Sequence, residues 1–173
     1  MQRPNIILTG FMATGKSSTG RVLARKLGYE FVDTDQLIEL RQRRTIADIF
    51  TDQGEAAFRR MEADIVDELS TREGLVIATG GGLMLDASNA KKLGDSGKVF
   101  CLAASKAEIL KRLSSKTARK RRPLLANCDL DAHISNLLIE RGPAYQDFDQ
   151  IDTTGKKPYQ VAAILARRVK QSS

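Results

Sequence analysis

An eight-residue pattern near the start of the chain constrains the fold more than any other feature. Residues 10–17, GFMATGKS, match GxxxxGK[ST] in full, directly after the apolar run at 5–8 and directly before a helical pattern. In that context the glycines let successive backbone N–H groups face one anion, and the helix N-terminus adds its positive end. A chance match in a loop of small residues is the alternative, and the flanking strand and helix disfavour it. The pattern therefore predicts a nucleotide-binding P-loop domain.

The loop residues are expected to share the work of holding ATP and its metal. Lys16 would reach the β- and γ-phosphates, and the Ser17 hydroxyl would ligate Mg²⁺. The loop does not identify the phosphate acceptor, since some proteins of this class are switches or motors. The loop residues predicted to bind the nucleotide are Ala13, Thr14, Gly15, Lys16, Ser17 and Ser18.

Short apolar runs alternate with longer periodic segments along the rest of the chain. This alternation predicts a doubly wound α/β domain with a central five-stranded parallel sheet flanked by helices. Thr45 and Asp48 have the spacing of a capping box, and Gly142-Pro143 is expected to end a helix. Strands are predicted at 5–8, 29–32, 75–78, 98–102 and 150–152, and helices at 17–27, 55–70, 106–113, 131–141 and 158–169.

The chain is expected to form a single domain over 1–173, since its length is ordinary for one domain. Two segments fit the strand–helix rhythm poorly. Residues 35–74 are too long for one crossover helix, and 114–128 are polar and basic. Insertions of this kind often carry function. They are therefore interpreted as an acceptor-binding insertion and a lid.

Two carboxylates follow the second predicted strand. Asp33 and Asp35 come directly after YEFV, and in an extended chain residues two apart point the same way. Ligands of open parallel sheets collect beyond the carboxyl ends of the strands. Asp33 is therefore a candidate Mg²⁺ ligand, and Asp35 a candidate for orienting an acceptor hydroxyl and taking its proton. Alternatively, Asp35 caps a helix over QLIELR, which does not exclude function.

Three consecutive glycines at 80–82 follow the third predicted strand. Their cost in backbone entropy would be justified if a ligand closely approached the backbone N–H groups; the alternative is a flexible turn. Arg59, Arg122 and Arg141 are candidates for binding a carboxylate or phosphate, because the guanidinium fork suits both. Each alone is more often a solvated surface residue, and spacing does not show whether they converge.

The net charge of +7 suggests anionic partners, either nucleic acid or small phosphates and carboxylates. Five basic residues lie within 116–122, so the charge is concentrated in one segment, and no aromatic residue interleaves with it to stack on single strands. The two cysteines lack metal-ligand spacing. No apolar run approaches the roughly 18 residues that span a bilayer, and no signal peptide is evident. The expectation is a cytoplasmic, monomeric protein with neither membrane nor nucleic-acid partners.

Together these motifs resemble the shikimate kinase family nearly from end to end. GFMATGKSS resembles its phosphate loop, DTD its second-strand motif, and FRRME the helix that bears a substrate arginine; IADIF leads into its substrate-binding part. ATGGG resembles its glycine motif, RPLL its lid motif and RGPAY its late substrate arginine. Apart from the phosphate loop each motif is weak alone, whereas the ordered set is specific.

The resemblance implies a nucleoside-monophosphate-kinase-like P-loop fold. It also implies transfer of the ATP γ-phosphoryl group to the 3-hydroxyl of shikimate, within aromatic amino-acid biosynthesis. The implied catalytic residues are Lys16, Asp35 and Arg122, the last on the lid. The implied acceptor-binding residues are Asp35, Arg59, Gly81 and Arg141; the implied metal ligands are Ser17 and Asp33; Arg112 and Arg122 join the loop in binding the nucleotide.

The sequence departs from the family pattern in small ways. ATGKSS stands where GSGKST is commoner, and Lys156 and Lys157 stand where relatives often place an arginine near adenine; neither lysine is assigned. A gluconate kinase, an ATP-switched nucleic-acid-binding protein and a non-catalytic relative are the alternatives. The combination of DTD, FRR, GGG and RGPAY favours shikimate over gluconate. The intact Lys16, Asp33, Asp35 and Arg122 argue against a non-catalytic relative.

Overall fold

A computed structural model describes residues 3–114 and 129–171 of the protein. Five strands form one sheet in the order β2-β3-β1-β4-β5, and every neighbouring pair is parallel. The predicted five-stranded parallel sheet is thus confirmed, with β1 at its centre. The strands are β1 (Asn5–Thr9), β2 (Glu30–Asp33), β3 (Leu75–Ala78), β4 (Gly97–Ala103) and β5 (Asp149–Asp152).

Seven α-helices connect or flank these strands within the described ranges. A short 3-10 turn at Leu83–Leu85 follows β3 and its glycines. The five predicted helices are confirmed, although α3 begins at Ile46 where 55 was predicted and the other boundaries shift by a few residues. Helices α2 and α4 are additional. The helices are α1 (Lys16–Leu27), α2 (Thr34–Gln42), α3 (Ile46–Ser70), α4 (Ala87–Ser96), α5 (Lys106–Leu113), α6 (Leu130–Tyr145) and α7 (Pro158–Gln171).

The core lies on both faces of the sheet. Because alternate strand residues point to opposite faces, Ile7 packs with the cluster under α3 and α4, whereas Ile6 and Leu8 pack with the cluster under α1 and α7. All five residues of β1 are buried. This sandwich leaves the carboxyl ends of the strands as the edge at which loops can assemble a site.

The long helix α3 contains the predicted capping box. The Thr45 hydroxyl accepts from the Asp48 N–H at 3.1 Å, and the Asp48 carboxylate accepts from the Thr45 N–H at 3.3 Å. Gly54 interrupts the helix with φ 78° and ψ 171°, a conformation open to glycine. The kink separates a short first segment from the segment that carries FRRME, so the two point in different directions.

Two local predictions from sequence are wrong. The prediction that Gly142-Pro143 ends a helix at 141 fails, because α6 continues through Pro143 to Tyr145. The last turn is held by tertiary contacts, since Tyr145 is only 7% exposed. The alternative in which Asp35 caps a helix also fails: the cap is Asp33, whose carboxylate accepts from the Gln36 N–H at 3.2 Å.

Helix α4 was not predicted from its polar sequence. Its N-terminus is fixed by Asp86, whose carboxylate accepts from the N–H groups of Ser88 and Asn89 at 2.8 and 3.0 Å. Leu93 provides its anchor in the core. Within the described ranges, the helices are all too short or too polar to cross a membrane.

Candidate active site

The phosphate loop turns between β1 and α1 as predicted. Ala13 and Gly15 have positive φ values of 60° and 95°, which curl the backbone around the loop interior. Gly15 caps α1 and offers no side chain to its first N–H groups, so these amides are available to an anion. Lys16 spans the loop, and its ammonium donates to the carbonyls of Gly10 and Phe11 at 2.7 and 2.9 Å. The amine is therefore held at the mouth of the loop.

Ser17 and Asp33 meet at the end of the sheet. The Ser17 hydroxyl donates to Asp33 Oδ2 at 2.5 Å, although the two residues lie on α1 and β2. The prediction that Asp33 and Asp35 share one direction along an extended chain is wrong in its geometry, because β2 ends at Asp33 and Asp35 lies in the first turn of α2. Both carboxylates nonetheless line the same cleft.

Arg112 connects the loop to the end of β5. Its guanidinium donates to the carbonyls of Ala13 and Thr153 at 3.0 and 2.7 Å, and an ion pair with Glu108 at 2.9 Å holds it. The buried Thr153 adds a hydroxyl bond to the Thr14 carbonyl at 3.0 Å. These contacts brace the outer side of the loop, and the contribution of Thr153 was not predicted.

A smaller cavity of about 290 Å³ lies beside this brace. Arg112 lines it together with Lys156 and Lys157, so both unassigned lysines face the same space. Lys156 pairs with Asp152 at 3.0 Å. Hydrogen bonds from Thr154, with a smaller contribution from Lys156, lower the pKa of the Asp152 carboxyl to about 2. The loop residues Thr14, Gly15 and Ser18 form the wall toward the main cleft.

The main cleft has a volume of about 480 Å³ and contains most of the predicted site residues. The phosphate loop forms one side of the cleft. Residues from α2, α3, α6 and the three glycines at 80–82, here called the glycine segment, form the other side. Arg122 lies outside the described residues, as do the other lid residues at 115–128. The predicted site residues that line the main cleft are Ala13, Gly15, Lys16, Ser17, Ser18, Asp33, Asp35, Arg59, Gly81 and Arg141.

Two of the three glycines leave room for charged side chains. A methyl group on Gly80 would overlap the Asp35 carboxylate and approach Glu62 Oε1 to 3.3 Å. A methyl group on Gly82 would meet the Arg59 guanidinium at 2.8 Å. The glycines thus let the chain after β3 pack directly against Asp35 and Arg59, which the sequence predicted to bind the acceptor.

Gly81 stands between these two and faces the late arginine. A methyl group there would lie 3.8 Å from Arg141 Nη1, an ordinary contact, so this position is less crowded than its neighbours. Arg141 lines the cleft, and its Nε is buried without a hydrogen-bond partner in the described structure. A buried N–H group of this kind is costly unless an acceptor completes its bonding, and an anion in the cleft would supply one.

The three carbonyls of the glycine segment all accept hydrogen bonds. The carbonyls of Gly80 and Gly82 accept from Leu83 and Leu85 at 3.2 and 3.1 Å, in the 3-10 turn. The Gly81 carbonyl accepts from the Tyr145 hydroxyl.

Of the three amides, one already has a partner. The Gly80 N–H donates to the Thr34 hydroxyl at 2.8 Å. The N–H groups of Gly81 and Gly82 make no hydrogen bond to any other residue that the structure describes. Two donors therefore remain next to two guanidinium groups, an arrangement that suits a carboxylate.

Arg59 is held by two acidic residues of its own helix. It pairs with Glu62 at 2.7 Å and with Glu55 at 2.9 Å, one turn away on either side. Burial, the largest influence, acts to lower the pKa of Arg59, but the bonds to Glu62 and Glu55 outweigh it and raise the pKa. The fork is therefore fixed in orientation before any ligand arrives.

Glu62 is the functional candidate that sequence reasoning missed. It is only 1% exposed, and burial raises the pKa of its carboxyl although the bond and charge of Arg59 act to lower it. The negative charge of Asp35 raises this pKa further. The signal was present, since Glu62 follows Arg59 by three residues within FRRME and so shares its helix face.

The fold and the cleft together indicate the class of protein. A phosphate loop at the end of a parallel sheet, facing a cleft lined by both basic and acidic side chains, is the arrangement of a small-molecule phosphotransferase of the P-loop class. Solved gluconokinase from Sinorhizobium meliloti shares this fold, with a TM-score of 0.56 at 21% identity over 99% of this chain and 97% of that one.

The closer comparisons identify the family. The shikimate kinase family model matches residues 12–170. The shikimate kinase of Thermodesulfovibrio yellowstonii is 41% identical over 98% of this chain and 96% of its own length. The solved shikimate kinase of Acinetobacter baumannii, in complex with shikimate, aligns with a TM-score of 0.90 at 35% identity over 99% and 95% of the two chains. The chain belongs to the shikimate kinase family.

Proposed function

We propose that this protein transfers the γ-phosphoryl group of ATP to the 3-hydroxyl of shikimate, giving shikimate 3-phosphate and ADP. Family membership supports the reaction. The observation that carries it is Arg141, which faces Gly81 and whose buried Nε has no hydrogen-bond partner among the described residues. With the amides of Gly81 and Gly82, it offers a carboxylate the bonds that this part of the chain leaves unmade.

The acceptor carboxylate would bind between Arg59, Arg141 and the backbone of Gly81. Arg59 is already oriented by Glu62, so its fork does not have to be ordered when the acceptor arrives. An acceptor anchored in this way lies between the glycine segment and the loop, in the cleft that Asp35 also lines. Binding energy at the carboxylate thus positions a hydroxyl for reaction.

Asp35 is the candidate base for that hydroxyl. It lies in the first turn of α2, against Gly80, which has no side chain to displace it. From there its carboxylate would orient the 3-hydroxyl and take its proton as the oxygen attacks the γ-phosphorus. Lys16 would stabilise the negative charge on the transferring group from the loop side, and Arg122 from the lid.

Ser17 and Asp33 would hold Mg²⁺, directly or through water. Their bonded oxygens, 2.5 Å apart beside the loop, suit a metal that in kinase sites takes few protein ligands together with substrate phosphates. Bound there, Mg²⁺ would neutralise charge on the phosphate oxygens. Arg112 would brace the nucleotide side of the loop, next to the cavity that Lys156 and Lys157 line. We further propose that the enzyme acts as a cytoplasmic monomer.

The decisive experiment is ADP release by the purified protein with ATP and Mg²⁺, comparing shikimate, gluconate and no acceptor. Rapid release with shikimate alone is the expected result, and identification of the 3-phosphate among the products would fix the position of transfer. Release with gluconate instead would overturn the acceptor assignment. Nucleotide binding without stimulation by either acceptor would favour a switch or a non-catalytic relative.

A further inference from the structure

The hydroxyl of Tyr145 makes a contact that the reaction described above does not use. It donates to the carbonyl of Gly81, whereas the carbonyls on either side accept from backbone N–H groups of the following turn. A single side chain thus completes the bonding of the three glycine carbonyls. Gly81 lines the cleft but Tyr145 does not, so this carbonyl is drawn toward a residue outside the cleft.

Tyr145 is firmly anchored in the structure. It is 7% exposed, and its own carbonyl accepts from the Gln150 side chain at 2.5 Å. Burial raises the pKa of the phenol to about 12, against a smaller lowering by Arg141, so the group keeps its proton at any pH of physiological interest. It is therefore a permanent hydrogen-bond donor to Gly81.

Tyr145 and Arg141 are four residues apart on α6, so they lie on the same helix face, one turn apart. Both approach Gly81: Tyr145 bonds its carbonyl, and Arg141 Nη1 lies 3.8 Å from the position that a Cβ on Gly81 would occupy. The hydroxyl bond therefore fixes the glycine segment and the late arginine relative to each other.

We propose that Tyr145 is a positioning residue for the acceptor carboxylate, an inference that rests on the proposed function and deepens it. By holding the Gly81 carbonyl away from the cleft, its hydroxyl keeps the N–H groups of Gly81 and Gly82 turned toward the carboxylate. Glycine peptides reorient easily, because no side chain restricts them. Without the hydroxyl, the carbonyl at Gly81 is left without a donor and can turn toward the cleft, where it repels a carboxylate.

Tyr145→Phe tests this inference, since it removes one oxygen and keeps the buried ring. We expect the KM for shikimate to rise about three- to tenfold, the worth of one buried hydrogen bond, while kcat stays within about twofold and the KM for ATP is unchanged. Tyr159→Phe is the matched control, because Tyr159 is 64% exposed on α7 and should leave every constant unchanged. Thermal unfolding of both variants verifies that they are folded.

A second readout separates positioning from a general structural effect. The analogue in which the carboxylate of shikimate is reduced to a hydroxymethyl group lacks the charge that these N–H groups recognise. Calorimetry should show that Tyr145→Phe reduces the preference for shikimate over this analogue by the same factor as the change in KM.

An unchanged KM for shikimate, or equal weakening toward shikimate and its analogue, would overturn the inference alone. A fall in kcat together with a rise in the KM for ATP would also overturn it. Absence of shikimate-dependent ADP release by the unaltered enzyme would instead overturn the proposed function, and the inference with it.

Discussion

The two sides of the cleft are built in different ways. The nucleotide side comes mostly from one continuous segment, residues 10–18, whose backbone provides much of the binding surface. The acceptor side is assembled from four segments that are far apart in the chain: α2, the middle of α3, the glycines after β3, and the end of α6. The first side depends on a local conformation, the second on the convergence of charged side chains. Substitutions on the acceptor side should therefore change acceptor binding and leave ATP binding intact.

Asp35→Asn should have the largest effect, because Asp35 stands where the two sides meet. The amide keeps the shape that fits against Gly80 but cannot take the proton of the acceptor hydroxyl. We expect kcat to fall by about 10²- to 10⁴-fold, with nucleotide affinity unchanged. Single-turnover phosphoryl transfer together with nucleotide titration measures both quantities. Full activity in this variant would remove Asp35 from the mechanism.

Arg141→Ala should separate the two sides most clearly. It removes a guanidinium that has no carboxylate partner among the described residues, so the loss should be confined to the acceptor. We expect the KM for shikimate to rise about 30-fold or more, and the KM for ATP to stay within about twofold.

Arg168→Ala provides the control for Arg141→Ala. Arg168 pairs with Asp149 at the surface at 2.8 Å, so its loss should leave both constants unchanged. An equal loss of ATP affinity in Arg141→Ala would show that the two sides are not independent.

The phosphate loop was predictable from sequence for the same reason that it is local. The glycines, Lys16 and Ser17 are specified by spacing within one segment, and the flanking strand and helix follow from hydrophobic pattern. The convergence of Arg59 with Arg141 was not predictable from spacing, because it depends on how α3 and α6 pack around the sheet. The family resemblance implied that both arginines bind the acceptor, but it did not show where they lie relative to each other.

The errors in the sequence reading also have tertiary causes. Gly142-Pro143 is a sound stop for an isolated helix, yet α6 continues because Tyr145 is buried and bonded to Gly81. Asp33 and Asp35 reach one cleft by a strand end and a helix turn, where simple alternation along a strand was expected. Sequence patterns therefore predicted these strands and helices correctly, but not where α6 ends or where β2 gives way to α2.

Gly82→Ala tests whether the glycine segment serves to seat side chains. The added methyl group meets the Arg59 guanidinium at 2.8 Å and must displace it. We expect the KM for shikimate to rise on the order of tenfold, less than for loss of an arginine, because the charge remains nearby. ATP binding should not change.

Gly94→Ala is the control for this steric argument. Apart from the neighbouring backbone of α4, no atom of the described residues lies within 4 Å of a methyl group at Gly94, and alanine favours a helix, so activity should be retained and stability should be equal or higher. A similar rise in KM in both variants would contradict the steric account of Gly82.

Glu62→Gln should have the smallest effect on activity. Glutamine retains an oxygen that can accept from Arg59 but loses the charge that fixes the fork. We expect the KM for shikimate to rise only about three- to fivefold, with kcat and the KM for ATP nearly unchanged, because Glu55 still pairs with Arg59. Steady-state kinetics measures the change.

The same substitution should also change how the stability of the protein depends on pH. Since burial raises the pKa of Glu62 in the folded state above the ordinary value of 4.5, the folded protein binds this proton more tightly than the unfolded chain does. The resulting stabilisation is present below pH 4.5 and is lost as the pH rises through the raised pKa. Relative to Glu62→Gln, the unaltered protein should therefore lose stability on going from acid to neutral pH. Urea unfolding of both proteins at several pH values measures this difference. A growing advantage of the unaltered protein toward neutral pH would instead mean that the ion pair with Arg59 more than offsets the cost of burying the charge.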